Sequence, residues 1–361
     1  MRKFVRVLKI FGIVLGSLLV LAIAYVLYVF IDYHRLEDHL AVEVDAAKVG
    51  PVIQAITPGD ELTAVSYNIG FGAYDPEFTF FMDGGRSSWA KSRDSVLGLV
   101  NGAGDLAMSF DPDFVLFQEI DFDSTRSYHI DQYELLRDKY ADYDSVLGIN
   151  YDSPFLFYPF YQPHGASRAG VGTFSRYGIT ACERRSLPIS GGLSKFVDLD
   201  RCYTVSRVPV SNGKELILIN VHMSAYGSSP EIREGQTEML KEELEKEYEA
   251  GNYVIVGGDF NHDLKLAEDM ETYSWAHYYD RSKIPEHFSF VIDFFSDKEK
   301  AKMPDTCRDA GVVYDPETTY TVTLDGFIVS DNVKVLSYEN YEESFLYSDH
   351  DPVIMSFMLE G

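Results

Sequence analysis

The chain has 361 residues, enough for one large domain or two ordinary ones, and its 46% hydrophobic and 24% charged content allows a large core. Formal net charge is −26; residues 1–35 hold five basic residues (Arg2, Lys3, Arg6, Lys9, Arg35) and one acid (Asp32), so the remainder sets 26 Lys+Arg against 56 Asp+Glu, a balance of −30. Such a surface argues against a non-specific grip on nucleic acid backbone and favours the local capture of cations. The three cysteines, Cys182, Cys202 and Cys307, form no Cys-x-x-Cys or Cys/His cluster, which argues against a zinc or iron–sulfur site. Cys182 and Cys202 flank a loop and could pair in an oxidising compartment, but three free buried thiols are the simpler expectation.

Residues 1–9 form a basic tail. Residues 10–31 are a continuous apolar run of 22 residues broken only by Gly and Ser. As a helix this run is roughly 33 Å long, matching a hydrocarbon core of about 30 Å. The basic flank before it and Asp32, Glu37 and Asp38 after it put the N-terminus in the cytoplasm and the rest outside. A cleaved signal peptide is the rival reading, because Ala22-Ile23-Ala24 resembles a cleavage site; the apolar residues that follow, Tyr25 to Ile31, favour a retained anchor. Residues 32–60, with Gly50-Pro51 and Pro58-Gly59, read as a stalk. From residue 61 to 361 strands alternate with helices, which predicts one α/β domain. Leu62–Tyr67, Phe114–Phe117, Gly170–Phe174, Tyr203–Val208, Leu216–Val221, Tyr253–Val256, Phe327–Val329 and Val353–Met358 read as strands. Ser87–Asn101 is a helix candidate ending at Asn101-Gly102. Residues 230–249 are the best one, with Ser229 as cap, Pro230 in the first turn and Ile232, Gln236, Met239, Leu240, Leu244 and Tyr248 on one face.

Polar clusters sit at the strand ends. Tyr253–Val256 runs into Gly257-Gly258-Asp259-Phe260-Asn261, where the glycines are expected to end the strand in a tight turn. Asp259 and Asn261, at i and i+2, point to one side on extended backbone. The others are Ser66-Tyr67-Asn68, Gln118-Glu119-Ile120-Asp121, Asn220-Val221-His222, Leu324-Asp325-Gly326-Phe327 and Ser348-Asp349-His350-Asp351-Pro352. Each alone has a plain structural explanation as a turn, a cap or a buried histidine satisfied by its neighbours.

In this order, over about residues 62–358, the six motifs resemble the endonuclease/exonuclease/phosphatase superfamily, which includes deoxyribonucleases, sphingomyelinases and inositol-polyphosphate phosphatases. The resemblance implies a four-layer α/β sandwich, two packed mixed sheets flanked by helices, with the site at one end. It implies that Glu119 and Asn68 hold a metal ion with Asp349 alongside. It further implies that Asp259 and Asn261 handle the nucleophilic water and phosphoryl oxygens, that Asp325 and His350 form a carboxylate–imidazole pair, and that His222 belongs to the deoxyribonuclease and sphingomyelinase pattern.

A phosphodiester is anionic and repels nucleophiles, so Mg²⁺ on oxygen ligands, with Mn²⁺ as a substitute, suits this chemistry. How the acid and base roles divide between His222 and His350 stays open. Arg168 and Arg176 are candidate phosphate contacts. Aromatic residues cluster at Tyr151, Phe155, Phe157, Tyr158, Phe160 and Tyr161, and again at Trp275, Tyr278, Tyr279, Phe288, Phe290, Phe294 and Phe295. Each group is either a substrate-touching lip or a loop folded on its own core. The anchor and the −30 balance favour a lipid headgroup or small phosphate ester over nucleic acid. A surface nuclease and a non-catalytic binding module on the same fold are the alternatives, and nothing in the sequence demands a protein partner.

Overall fold

The computed structural model describes residues 2–33, 35–192, 195, 199–224, 229–265 and 275–361. Two mixed sheets pack face to face. One has seven strands in the order Leu40–Val42, Ala181–Ser186, Cys202–Pro209, Glu215–His222, Tyr253–Asp259, Asp325–Ser330 and Phe288–Phe290. The other has six: Val333–Asn340, Val353–Leu359, Leu62–Asn68, Phe114–Asp121, Arg168–Ser175 and Asp144–Asp152. Each contains one parallel pair, Leu62–Asn68 with Phe114–Asp121 and Glu215–His222 with Tyr253–Asp259. These pairs lie mid-sheet and are almost wholly buried, as the covered position of parallel strands requires. Leu62, Ala64, Phe114 and Leu116 of one sheet share a core with Leu216, Leu218, Ile255 and Phe327 of the other.

Helices close both outer faces. Pro230–Glu249 starts where Ser229 accepts the Ile232 N–H and buries Gln236, Leu240 and Leu244, as its sequence predicts. On the opposite face lie Arg93–Ser109 and Gln132–Lys139, whose Val100, Ala103 and Leu136 pack on Val65 and Phe117. The first of these differs from the predicted Ser87–Asn101. Ser92 caps it by accepting the Ser95 N–H, and it continues past Asn101-Gly102 to Ser109. Gly102 is there for packing, because a Cβ would meet the Tyr347 ring at 2.3 Å.

One further expectation changes. Gly257 and Gly258 do not end the strand but lie inside Tyr253–Asp259. A Cβ on Gly257 would sit 2.6 Å from Leu116 Cδ1 in the facing sheet; Gly258 has φ +149°, and its Cβ would meet the Val221 carbonyl oxygen at 2.0 Å. They are sites of close approach, the other use of glycine in a strand. Phe327–Val329 and Val353–Met358, which follow Asp325 and His350, belong to different sheets. What joins their ends is the stacking of the sheets.

Asn220 and Gln118 clasp the sheets beneath that junction. Gln118 Nε2 donates to Asn220 Oδ1 at 2.8 Å, and Asn220 Nδ2 donates to the Phe117 and Gly172 carbonyls at 3.1 and 2.9 Å. The segment expected as a stalk runs along the domain: Leu40–Val42 pairs with Arg184–Cys182, and Ile53 and Ile56 bridge to Tyr177 and Val210. Before it, Arg2–Asp32 is one apolar helix of which no described residue is buried. All three cysteines are free and buried; Cys182 lies opposite Ser206 and Cys202 opposite Ser186, so the two are not partners.

Candidate active site

The carboxyl ends of Leu62–Asn68, Phe114–Asp121, Glu215–His222 and Tyr253–Asp259 meet around a cavity of ≈ 470 Å³. Glu119, His222, Asp259, Asn261, Asp349 and His350 all line it. Asp259 is the hub. Its Oδ1 accepts the Asn261 N–H at 2.8 Å, and its Oδ2 accepts from Asn68 Nδ2 at 3.1 Å and Asn261 Nδ2 at 3.2 Å. The same Oδ2 lies 3.6 Å from His222 Nε2 and 3.8 Å from His350 Nε2. Burial, opposed by His350 and reinforced by Asp325, pushes the Asp259 carboxyl up to about 7.

His350 Nδ1 lies 2.8 Å from Asp325 Oδ2, which also accepts from Thr306 Oγ1 at 2.7 Å; Asp325 Oδ1 is buried with no partner among the described residues. Burial alone would lower the His350 pKa, but the Asp325 carboxylate, aided by Cys307, lifts it well above the usual range. His222 behaves oppositely. Burial, with Arg201 and His350 nearby, drives its pKa well down, so its ring is neutral. Asn150 Nδ2 sits 3.5 Å from His222 Nδ1 and, as a donor, would leave the Nε2–H pointing at Asp259.

Glu119 reaches the cavity through a bulge. The register with Arg168–Ser175 shifts between Phe117 and Ile120, and Glu119 takes φ 56°. That aims its carboxylate inward, as bulges beside sites do. Burial raises the Glu119 pKa and the Asp349 charge adds to it. Asn68 Nδ2 lies 3.3 Å from Glu119 Oε1, while its Oδ1 accepts the Gly70 N–H at 3.0 Å. Asp351 is different. Both of its oxygens accept backbone N–H groups, Glu343 at 3.1 Å and Phe345 at 3.1 Å, so it shapes the turn.

Asp259, Asp325 and His350 each offer an atom within 4.8 Å of the others'. That trio is already knit by the His350–Asp325 hydrogen bond. Glu119 and Asp349 both face the cavity, and the Asp349 charge opposes ionisation of Glu119; this pair fits a hard dication better, because a cation would relieve that cost.

Arg168 and Arg176 do not join the site. Arg168 is exposed, over the Phe122 ring and 3.7 Å from Asp152. Arg176 pairs with Asp111 and Asp113 beyond the other end of Arg168–Ser175. Eight residue steps along extended backbone put about 26 Å between them, so they cannot serve one phosphate. The cavity's arginines are Arg126, Arg201 and Arg308. Arg126 makes a two-pronged bond to Asp121, at 3.0 and 2.8 Å. Arg201 donates to the Met223 carbonyl at 2.8 Å and keeps its Nε buried and unpartnered among the described residues. No local pattern marks these residues; only the tertiary fold gathers them. The second aromatic group mostly makes core, with Tyr279 and Phe290 packed against Phe260 and Phe288 against Tyr248, whereas Trp275 reaches the cavity.

The endonuclease/exonuclease/phosphatase family profile matches residues 65–350. Among the curated proteins, none matches the sequence. Similar solved structures include an endonuclease/exonuclease/phosphatase from Bacteroides vulgatus (17% identity, TM-score 0.53, covering 83% of this chain and 100% of that one). Others are D. rerio TDP2 complexed with single-strand DNA product (15%, 0.52, covering 82% and 99%) and the human Nocturnin catalytic domain with bound sulfate (15%, 0.52, covering 88% and 97%). At these identities the likeness concerns the fold.

Proposed function

The chain belongs to the endonuclease/exonuclease/phosphatase family and is a metal-dependent phosphoric ester hydrolase; from that premise we propose how its own residues share the work. Glu119 and Asn68, with Asp349 alongside, would hold Mg²⁺, or Mn²⁺ in its place. When bound, the ion would neutralise phosphoryl charge and polarise the ester. Asp259, pushed up to about 7, is suited to take the proton of the attacking water near neutral pH, and Asn68 and Asn261 fix its orientation. His350, protonated beside Asp325, donates from Nε2 to a phosphoryl oxygen. His222, neutral, offers its Nε2–H to a second oxygen or to the leaving group. Arg201 supplies further positive charge in the cavity.

The observation that carries this reading is the convergence on one carboxylate oxygen, Asp259 Oδ2, of Asn68 and both histidines within 3.8 Å. On location, we propose that Arg2–Asp32 is a transmembrane anchor with the N-terminus in the cytoplasm and the domain outside. A helix whose residues 10–31 are an apolar run, with no described residue buried by its own protein, needs another apolar surrounding. On substrate, the anchor and the −30 balance favour a lipid headgroup or small ester. The similarity to D. rerio TDP2, a structure complexed with single-strand DNA product, keeps a surface nuclease as the second reading. The deciding experiment is a Mg²⁺-dependent panel of a generic phosphodiester, sphingomyelin, an inositol phosphate and DNA. Absence of metal-dependent turnover on every substrate would refute the hydrolytic assignment.

A further inference from the structure

The loop between Asp144–Asp152 and Arg168–Ser175 carries exposed aromatics at its tip: Phe157 (49%), Tyr158 (65%), Phe160 (85%) and Tyr161 (70%). Exposed side chains of this size in one cluster mark an interaction surface. The neighbouring segment extends it, because Tyr158 packs on Phe81, Tyr161 donates to the Arg86 carbonyl at 2.7 Å, and Met82 is 59% exposed. That segment also reaches the catalytic cavity, which Phe80, Met82 and Asp83 line. The aromatic tip is therefore a rim of the active site.

The same loop is tied to the apolar helix. Tyr25 Oη donates to the Phe155 carbonyl at 3.1 Å and accepts the Phe157 N–H at 3.3 Å; Tyr28 Oη accepts the Phe155 N–H at 3.0 Å. The Tyr25 and Phe157 rings meet edge to face at 5.0 Å. Counting back from Ile31, Tyr28 and Tyr25 lie roughly 4.5 and 9 Å inside the apolar run at 1.5 Å per residue. A loop held at that depth lies within the boundary between headgroups and acyl chains, where Tyr and Phe are favoured and where interfacial segments insert by about 5–10 Å.

We propose that residues 157–161, with Met82, form a membrane-inserted lip that sets the mouth of the cavity against the bilayer, so that the substrate is the phosphate ester of a lipid resident in that leaflet. This rests on the hydrolytic reading above and on the helix crossing the membrane. A single-stranded nucleic acid stacking on the same rings is the other use of such a surface. The hydrogen bonds to the helix and the acidic balance of the domain favour the bilayer.

The test uses the full chain in phosphatidylcholine nanodiscs. A nitroxide is placed through Phe160→Cys, with Ser211→Cys at the far end of the sheets as control; the three native thiols are buried. The nitroxide at 160 should collide preferentially with oxygen, and that at 211 with a water-soluble nickel chelate. Equal chelate accessibility at the two sites overturns the lip. In parallel, the Phe157→Ser/Phe160→Ser/Tyr161→Ser variant should lose at least tenfold in turnover of bilayer phospholipid while hydrolysing bis(4-nitrophenyl) phosphate at the wild-type rate. Loss on both substrates, loss on neither, or loss confined to single-stranded DNA overturns the proposal. If wild type turns over no substrate, the hydrolytic reading fails, and the nitroxide depth still decides whether the lip inserts.

Discussion

Asp325→Asn isolates the charge that lifts His350, at nearly constant shape. Asp325 Oδ2 accepts from His350 Nδ1 and Thr306 Oγ1, while Oδ1 has no partner among the described residues. In the variant, the amide oxygen can keep both bonds only by turning its NH₂ to the empty Oδ1 side. An unsatisfied buried donor there costs about 1–3 kcal/mol. In a domain of this size each kcal/mol lowers Tm by about 2–4 °C. The opposite amide orientation presents N–H to the ring and enforces the wrong tautomer. Either way the carboxylate that overcomes the burial penalty on His350 is gone, and the imidazolium is lost at neutral pH. The expected fall in kcat is roughly 10²–10⁴-fold, the range for a positioned acid–base group. His350→Ala should fall by a similar factor, and the double variant by little more than either single one, because the pair acts as a unit. The assay is kcat on a generic phosphodiester, with melting and metal titration on the same preparations. Wild-type kcat with a lowered Tm would reduce His350–Asp325 to a structural bond and refute the reasoning.

Chelation should abolish turnover and Mg²⁺ or Mn²⁺ restore it; Glu119→Gln should raise the metal concentration for half-maximal rate by about 10–100-fold, and an unchanged titration removes Glu119 from the ligand set. Arg201→Ala should lower kcat/KM on an anionic ester by roughly 10–100-fold, the worth of a charged hydrogen bond, and unchanged kcat/KM would discount its phosphate role. Gly258→Ala should destabilise by at least about 3 kcal/mol in urea unfolding, given the 2.0 Å approach to the Val221 carbonyl oxygen; a stable variant would show that this crossing can relax. The full chain should stay in the membrane fraction through a carbonate wash, whereas a soluble mature chain starting near Tyr25 would identify a signal peptide.

The fold was legible where burial and local chemistry act together. Pro230–Glu249 announced itself through its cap, its proline and its apolar face, and the mid-sheet strands through unbroken apolar runs. Edge strands were not legible. Val333–Asn340 has exposed side chains at Lys334, Leu336, Ser337 and Glu339, and Leu40–Val42 lies in a polar segment. Both are held as strands by the backbone ladder of a neighbour, which composition does not encode. The helix stop at Asn101-Gly102 misled for a related reason. A stop signal acts only if nothing else rewards continuation, and here Ala103 and Ala107 are buried beyond it, while Asn101 Nδ2 bonds the Leu97 carbonyl inside the helix at 2.8 Å.

At the site, the motifs mix two kinds of residue that a linear reading cannot separate. Gln118 and Glu119 are neighbours, yet one clasps the sheets and the other faces the cavity, because a bulge and a positive φ fall between Phe117 and Ile120. Asn220 and His222, at i and i+2, share one face of their strand and divide by depth: Asn220, further in, bonds the facing sheet, and His222, at the strand end, lines the cavity. Within Ser348-Asp349-His350-Asp351, the outer residues bind backbone and the inner two face the cavity: Ser348 holds the Asn68 carbonyl and Asp351 the 343–345 turn, leaving Asp349 and His350 for the cavity. In such a motif the structural half fixes the functional half. Asn220→Leu should therefore lower stability, through the unpaired Gln118, Phe117 and Gly172 groups, and should misplace His222 and Glu119 together although it touches neither reacting group. If the variant melts lower but keeps wild-type kcat and metal dependence, the clasp carries stability alone and the site is positioned by other contacts.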